Sequence, residues 1–107
     1  MQDTALSAKI AALNDAARRS VMSYMTSAGV ISLEPSIVGD IYTAVRNFNR
    51  FTEDNDPYGE HDFGALKVHG QRIFWKIDYY DEDLKYWCDP LDSKCRRVVT
   101  IMLAEEY

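Results

Sequence analysis

The chain predicts an α+β fold in which two helices pack on one face of a three- to five-stranded antiparallel sheet, all within a single domain spanning residues 1–107. Three observations support that expectation. Apolar residues recur at three- and four-residue spacing in the first half, they alternate singly in the second half, and a run of turn-forming residues separates the halves. With 47% apolar residues and 12% aromatics there is enough side chain for one packed core, which excludes intrinsic disorder.

The first helix is expected from Asp3 to about Arg19, where Leu6, Ile10, Leu13 and Ala17 form a stripe in an alanine-rich segment and Asp3 or Thr4 is the cap. Ser20 to Thr26 breaks that stripe and is read as a short strand, with a helical alternative left open. Pro35 then favours a first-turn position, and Ile37, Ile41, Val45 and Phe48 follow as the stripe of a second helix ending near Phe51. Thr52 to Asp62 is a polar loop, since Asn55, Asp56, Pro57 and Gly59 suit turns.

The remainder reads as a meander: Phe63 to Val68, a turn at His69-Gly70, Arg72 to Tyr80, an acidic turn at Asp81 to Asp83, a short strand Leu84 to Cys88, a loop Asp89 to Lys94, and Arg96 to Leu103. Ile73, Trp75, Ile77 and Tyr79 alternate with Phe74, Lys76, Asp78 and Tyr80, so one face of the sheet is apolar and takes the helices. An exposed sheet edge leaves a homo-oligomer open.

No stretch approaches the roughly 18 apolar residues of a membrane span, and Met1-Gln2-Asp3-Thr4 opens without a basic or apolar leader, so a cytoplasmic protein is expected. Cys88 and Cys95 have neither zinc-ligand nor Cys-x-x-Cys spacing and are expected as free thiols, a hairpin disulfide being the alternative. Charge is uneven. Residues 53–92 hold eleven carboxylates against four basic side chains, a net −7, and the rest of the chain carries +2. Such a surface repels phosphate backbones and attracts basic proteins, so the expected partner is a protein with a basic surface and not nucleic acid itself.

The densest polar constellation is Glu53 to Asp62. As a calcium loop, Asp54, Asp56 and Gly59 occupy positions 1, 3 and 6, but position 12 is Ala65 where a bidentate Glu is required, so no metal or cofactor is expected. As an enzyme centre, Glu60, His61 and Asp62 offer a general base with an orienting carboxylate, although no nucleophile stands nearby. The structural alternative is that Asn55, Asp56 and Asp62 brace a tight loop through backbone hydrogen bonds. His69 beside Gly70 reads as a solvated turn residue. Trp75, Tyr79, Tyr80, Tyr86 and Trp87 are either a stacking platform for bases or core and cross-strand rings, and the carboxylates beside them disfavour the platform.

Four stretches carry a resemblance: Leu13-Asn14-Asp15-Ala16-Ala17-Arg18-Arg19, Phe51 through Gly64 with its Asn-Asp-Pro-Tyr-Gly-Glu-His-Asp-Phe-Gly run, Phe74 through Asp81, and Thr100 through Tyr107. Together they resemble a family of short bacterial proteins of unknown function that is frequent on plasmids, prophages and other mobile elements. The resemblance implies a mobile-element setting and no particular activity. The leading expectation is a small acidic inhibitor of a host defence complex, of anti-CRISPR or anti-restriction type, with Asp54, Asp56, Glu60, Asp62, Asp81, Glu82 and Asp83 facing a basic nucleic-acid-binding surface. A toxin-related ribonuclease similar in element order to RelE and ParE is the second, on fold analogy alone. A metal-dependent enzyme centred on Glu60, His61 and Asp62 is the third.

Overall fold

In the computed structural model, which describes residues 4–20 and 24–107, alanines and straight-chain residues build helix α1 (Thr4–Ser20). Its buried face is Ser7, Ile10, Ala11, Asn14 and Arg18, whereas Leu6 and Leu13 of the expected stripe are 44% and 46% exposed. Apolar spacing alone thus selects the wrong face. Buried polar groups are tolerated where their hydrogen bonds are complete, and Asn14 and Arg18 find partners that offset their desolvation.

The expected cap Asp3 and residues 21–23 of the expected strand Ser20–Thr26 lie outside the described residues. Ser20 belongs to α1, and the strand β1 is only Met25–Thr26. It pairs parallel with β4 (Arg96–Leu103), Met25 beside Thr100 and Thr26 beside Ile101, so the sheet is mixed and not purely antiparallel. No hairpin joins these two strands, and the tight-turn constraint that enforces antiparallel pairing is absent. Ser27 then caps a short helix not anticipated from the sequence, α2 (Ala28–Ile31), its Oγ accepting the Val30 N–H, and Val30 is driven into the core.

Helix α3 (Pro35–Arg46) has proline in its first turn as expected but stops short of Phe51. At its end the Arg18 guanidinium binds the carbonyls of Val45 (3.0 Å), in the last turn, and Phe48 (2.7 Å), just beyond it, satisfying acceptors that the end of a helix leaves open. Strands β2 (Phe63–Val68) and β3 (Gln71–Tyr80) form a hairpin closed by His69 and Gly70, both left-handed (φ 49° and 79°), as a two-residue turn of the favoured twist requires.

The strand order is β1-β4-β3-β2, with Trp75 opposite Ile101 and Ile77 opposite Val99. These residues and Ile73 form the helix-covered face and pack with Val30, Ile41, Val45 and Phe48. Gly64 lies so close to the Trp75 indole that a methyl there would overlap it. The opposite face carries Phe63 and Phe74, on which the C-terminal Tyr107 packs edge-on.

Leu84–Cys88 is not a strand; only Trp87 bridges to Tyr80. The Asp81 carboxylate accepts the N–H groups of Lys85 and Tyr86, and Leu84 is left-handed (φ 60°), so the backbone turns where a strand would extend. The chain closes in a 3₁₀ turn, Ala104–Glu106, whose Glu106 carboxylate binds Ser27 Oγ (2.6 Å) and the N–H groups of Gly29 and Leu103, tying α2 to the end of β4. No helix among the described residues is long and apolar enough to cross a membrane.

Candidate functional site

Two acidic loops are placed by this fold, and their carboxylates do different work. In the loop between α3 and β2, Asp56 is 8% exposed and its carboxylate accepts the N–H groups of Glu60 (3.2 Å) and His61 (3.2 Å). Those bonds hold Gly59 and His61 in the left-handed region (φ 67° and 56°), an unusual conformation for histidine. Asn55 closes the start of the loop through the Thr52 N–H and the Arg50 carbonyl.

The His61 ring lies flat on Phe51 (3.8 Å between centroids, 3° between planes), with Nδ1 3.0 Å from the Asp15 carboxylate and Nε2 3.7 Å from Asp56. Asp15 also receives the Arg18 guanidinium at 3.0 Å, and that fully buried group sits 4.9 Å from the Trp75 ring centre. Alongside, the buried amide of Asn14 donates to the Glu60 carbonyl (2.9 Å) and the Tyr79 hydroxyl (2.8 Å) and accepts from Arg97 Nε (2.6 Å). Burial pushes the Tyr79 phenol up to about 12. The result is a continuous polar brace from α1 through the loop to the sheet.

The His61 ring finds its partners outside the Glu60-His61-Asp62 run. The carboxylates that touch His61 are Asp15 and Asp56, and neither sequence neighbour does so. Consecutive side chains diverge where the chain enters a strand. The Asp56 carboxylate, first seen as a calcium-loop position, is engaged by backbone N–H groups. His69 makes an exposed contact with Asp40 (2.6 Å).

The loop between β3 and β4, residues 81–95, points outward. Tyr86 and Trp87 are 72% and 70% exposed and Leu84 is 50% exposed, with Glu82, Asp83, Asp89 and Asp92 on the surface around them. The loop is nevertheless braced. Asp81, Asp89 and Asp92 each accept a nearby N–H, the Cys88 N–H donates to the Tyr79 carbonyl (3.3 Å), and Arg97 donates to the Pro90 carbonyl (2.7 Å). Cys88 in its middle and Cys95 at its end are unbonded thiols, and burial raises the Cys95 thiol above its ordinary value.

Of the seven carboxylates singled out from the sequence, Asp54, Glu82 and Asp83 are exposed, Asp56 is internal, and Glu60, Asp62 and Asp81 are half-buried. Glu60 is held above the ordinary carboxylate range by burial and by Asp62 and Asp56. Asp62 is raised as well, first by burial and then by Asp56 and Asp78. Asp56, being internal, does not share the surface of the three exposed ones. Asn14, Asp15, Arg18 and Arg97 were missed by sequence reasoning; their signal is polar residues at the three- and four-residue steps of an alanine-rich helix, Ser7, Asn14 and Arg18.

These features define a small α+β domain on a mixed four-stranded sheet, with one acidic loop folded into the structure and a second, aromatic one held out from it. The chain belongs to the DUF3768 family, described as proteins of unknown function, whose model matches residues 25–106. That span contains both acidic loops and begins after α1, so Asn14, Asp15 and Arg18 lie outside it. Comparison with curated proteins and with solved structures found no match.

Proposed function

We propose that the protein is an interaction module that docks its β3–β4 loop on a basic surface of another protein, one shaped to hold nucleic acid. The observation that supports this best is the exposure of Tyr86 and Trp87 on an acidic loop already braced by its own hydrogen bonds. Large exposed aromatic side chains are the residues that most often anchor protein interfaces. The surrounding carboxylates steer a basic partner and repel an acidic one. Bracing lowers the entropy lost on docking.

In its specific form the reading is an inhibitor of a host defence complex, of anti-CRISPR or anti-restriction type and carried by a phage or plasmid, with Glu82, Asp83, Asp89 and Asp92 standing where phosphates lie. The same surface disfavours the ribonuclease alternative, since a toxin that cuts RNA needs cations to grip it. A catalytic role for His61 is disfavoured too, because its ring is stacked and both nitrogens face carboxylates that brace the loop.

The test is affinity capture from a bacterial host with active CRISPR and restriction systems, comparing the native chain with Trp87→Ala and with the pair Glu82→Lys, Asp83→Lys. Recovery of a nucleic-acid-handling complex that is lost in both variants, at high salt and on adding competitor DNA is the expected result. No recovery, or equal recovery by the loop variants, overturns the reading.

A further inference from the structure

Strand β2 stands at the end of the sheet order, so among the described residues no strand pairs with its outer side. The Ile77 N–H donates to the carbonyl of Asp62 (2.8 Å), the residue opposite it in the continued β2–β3 register, and this fixes which hairpin residues exchange hydrogen bonds. The alternation that follows turns the backbone groups of Gly64, Leu66 and Val68 toward β3. Those of Phe63, Ala65 and Lys67 therefore point outward along the open edge. The register runs from Phe63 to Val68 without a bulge, and the strand holds no proline. Within the strand itself, the one device that blunts an open edge is the charge of Lys67.

That charge is poorly placed in a single chain. Lys67 stands directly opposite Arg72 on the face away from the helices, and neither forms an ion pair among the described residues. Like charges directly opposite one another destabilise a strand pair. Ala65 and Phe63 share that face with Lys67 at two-residue steps, the first exposed and the second half-buried.

We propose that two copies of the chain join their β2 strands antiparallel about a two-fold axis at Ala65, making one continuous sheet from two four-stranded ones. The three outward residues are spaced symmetrically about Ala65. This register therefore pairs Ala65 with Ala65 and Phe63 with Lys67 of the second copy, and every outward N–H of the three finds a carbonyl. Each Lys67 ammonium comes beside a Phe63 ring, and only small alanine side chains meet at the axis. On the other face Leu66 of one copy stands opposite Gly64 of the other, which opposes it with no side chain. An unrelated extended peptide has the same backbone groups to offer; a second copy is selected because this sequence complements itself, ring to cation and alanine to alanine. The inference stands apart from the docking of the β3–β4 loop, which uses other residues.

The intact chain is followed by sedimentation equilibrium from about 1 µM to about 1 mM. The expected result is a mass that rises with concentration from that of one chain to twice that value. Ala65→Pro removes the outward N–H at the axis without taking a donor from β3, and it should stay a monomer across the range, with a melting temperature near that of the dilute native chain. Register is read separately by cross-linking in a background in which both free cysteines are replaced, Cys88→Ser and Cys95→Ser. Opposed Ala65 residues lie about 5.5 Å apart at Cα, within reach of a disulfide, whereas the two Lys67 residues lie roughly 13 Å apart. Under mild oxidation Ala65→Cys should therefore form a covalent dimer at least about tenfold faster than Lys67→Cys. A native chain that stays monomeric at about 1 mM, an Ala65→Pro variant that folds and still dimerises, or cross-linking as fast at position 67 as at position 65 overturns the proposal.

Discussion

The loops 52–62 and 81–95 carry five carboxylates each, yet the first turns its central carboxylate inward while the second keeps most of its charge at the surface. Asp56 is buried and caps two backbone N–H groups, and His61, Asp15 and Arg18 complete the brace around it. Asp81, Asp89 and Asp92 also accept backbone N–H groups, but from a loop standing in water whose exposed residues include Tyr86 and Trp87. Density of charge in a sequence therefore says little about where a partner docks. Asn14 and Asp15 of α1 bind the first loop directly, whereas the same helix meets the second loop beside Asp89, Pro90 and Leu91 across a shared surface pocket.

The largest expected effect tests the inner brace. Replacing Arg18 by methionine keeps the stem and removes the guanidinium, leaving the Val45 and Phe48 carbonyls without their donor and Asp15 with the His61 contact alone. Breaking a buried, hydrogen-bonded charge typically costs about 3–5 kcal/mol, to be read by urea unfolding. A loss below about 1 kcal/mol, within reach of a surface change, would remove the distinction between the loops.

Next in size is Asp56→Ala, which strips the acceptor from the Glu60 and His61 N–H groups and frees a strained left-handed histidine. Stability should fall by about 1–3 kcal/mol in the same assay. The β3–β4 loop provides the contrast: Trp87→Ala and the pair Glu82→Lys, Asp83→Lys should each change stability by no more than about 0.5 kcal/mol while abolishing partner capture. Stability loss from the outer loop matching that of Asp56→Ala would show both loops to be structural.

Much of the fold was legible in the sequence because the strong signals are local. Alternation placed β3 and its buried Trp75, the proline placed the start of α3, and His69-Gly70 placed the hairpin. The failures share one cause, a long-range polar contact that local pattern cannot see. Arg18 caps the segment after α3 from another helix, and Asn14 and Arg18 turn α1 away from its leucines. The parallel pairing of β1 with β4 likewise joins segments about 75 residues apart, which no turn signal announces. As for the site, both acidic loops were visible as charge, and the bracing role of Asp56 and Asn55 was among the readings open from composition. That Tyr86 and Trp87 would be exposed while Trp75 and Tyr79 were packed depended on the missing strand at Leu84–Cys88.

The smallest expected effect lies at Asp62, where the two loops meet. Its carboxyl is held above the ordinary value of 3.8 by burial and by Asp56 and Asp78, against the weaker pull of a backbone N–H and His61. The folded chain thus binds this proton more tightly than the unfolded chain, and the stability so gained is complete below the unfolded value and lost as pH rises through the folded one. Asparagine cannot ionise, so Asp62→Asn should melt higher than the native chain at neutral pH, and the difference should shrink towards zero as pH falls below that ordinary value. Paired thermal melts across this range decide it. A variant that melts lower at neutral pH would mean that ionised Asp62 is a brace like Asp56; a variant that melts higher marks a carboxylate the fold holds at a cost.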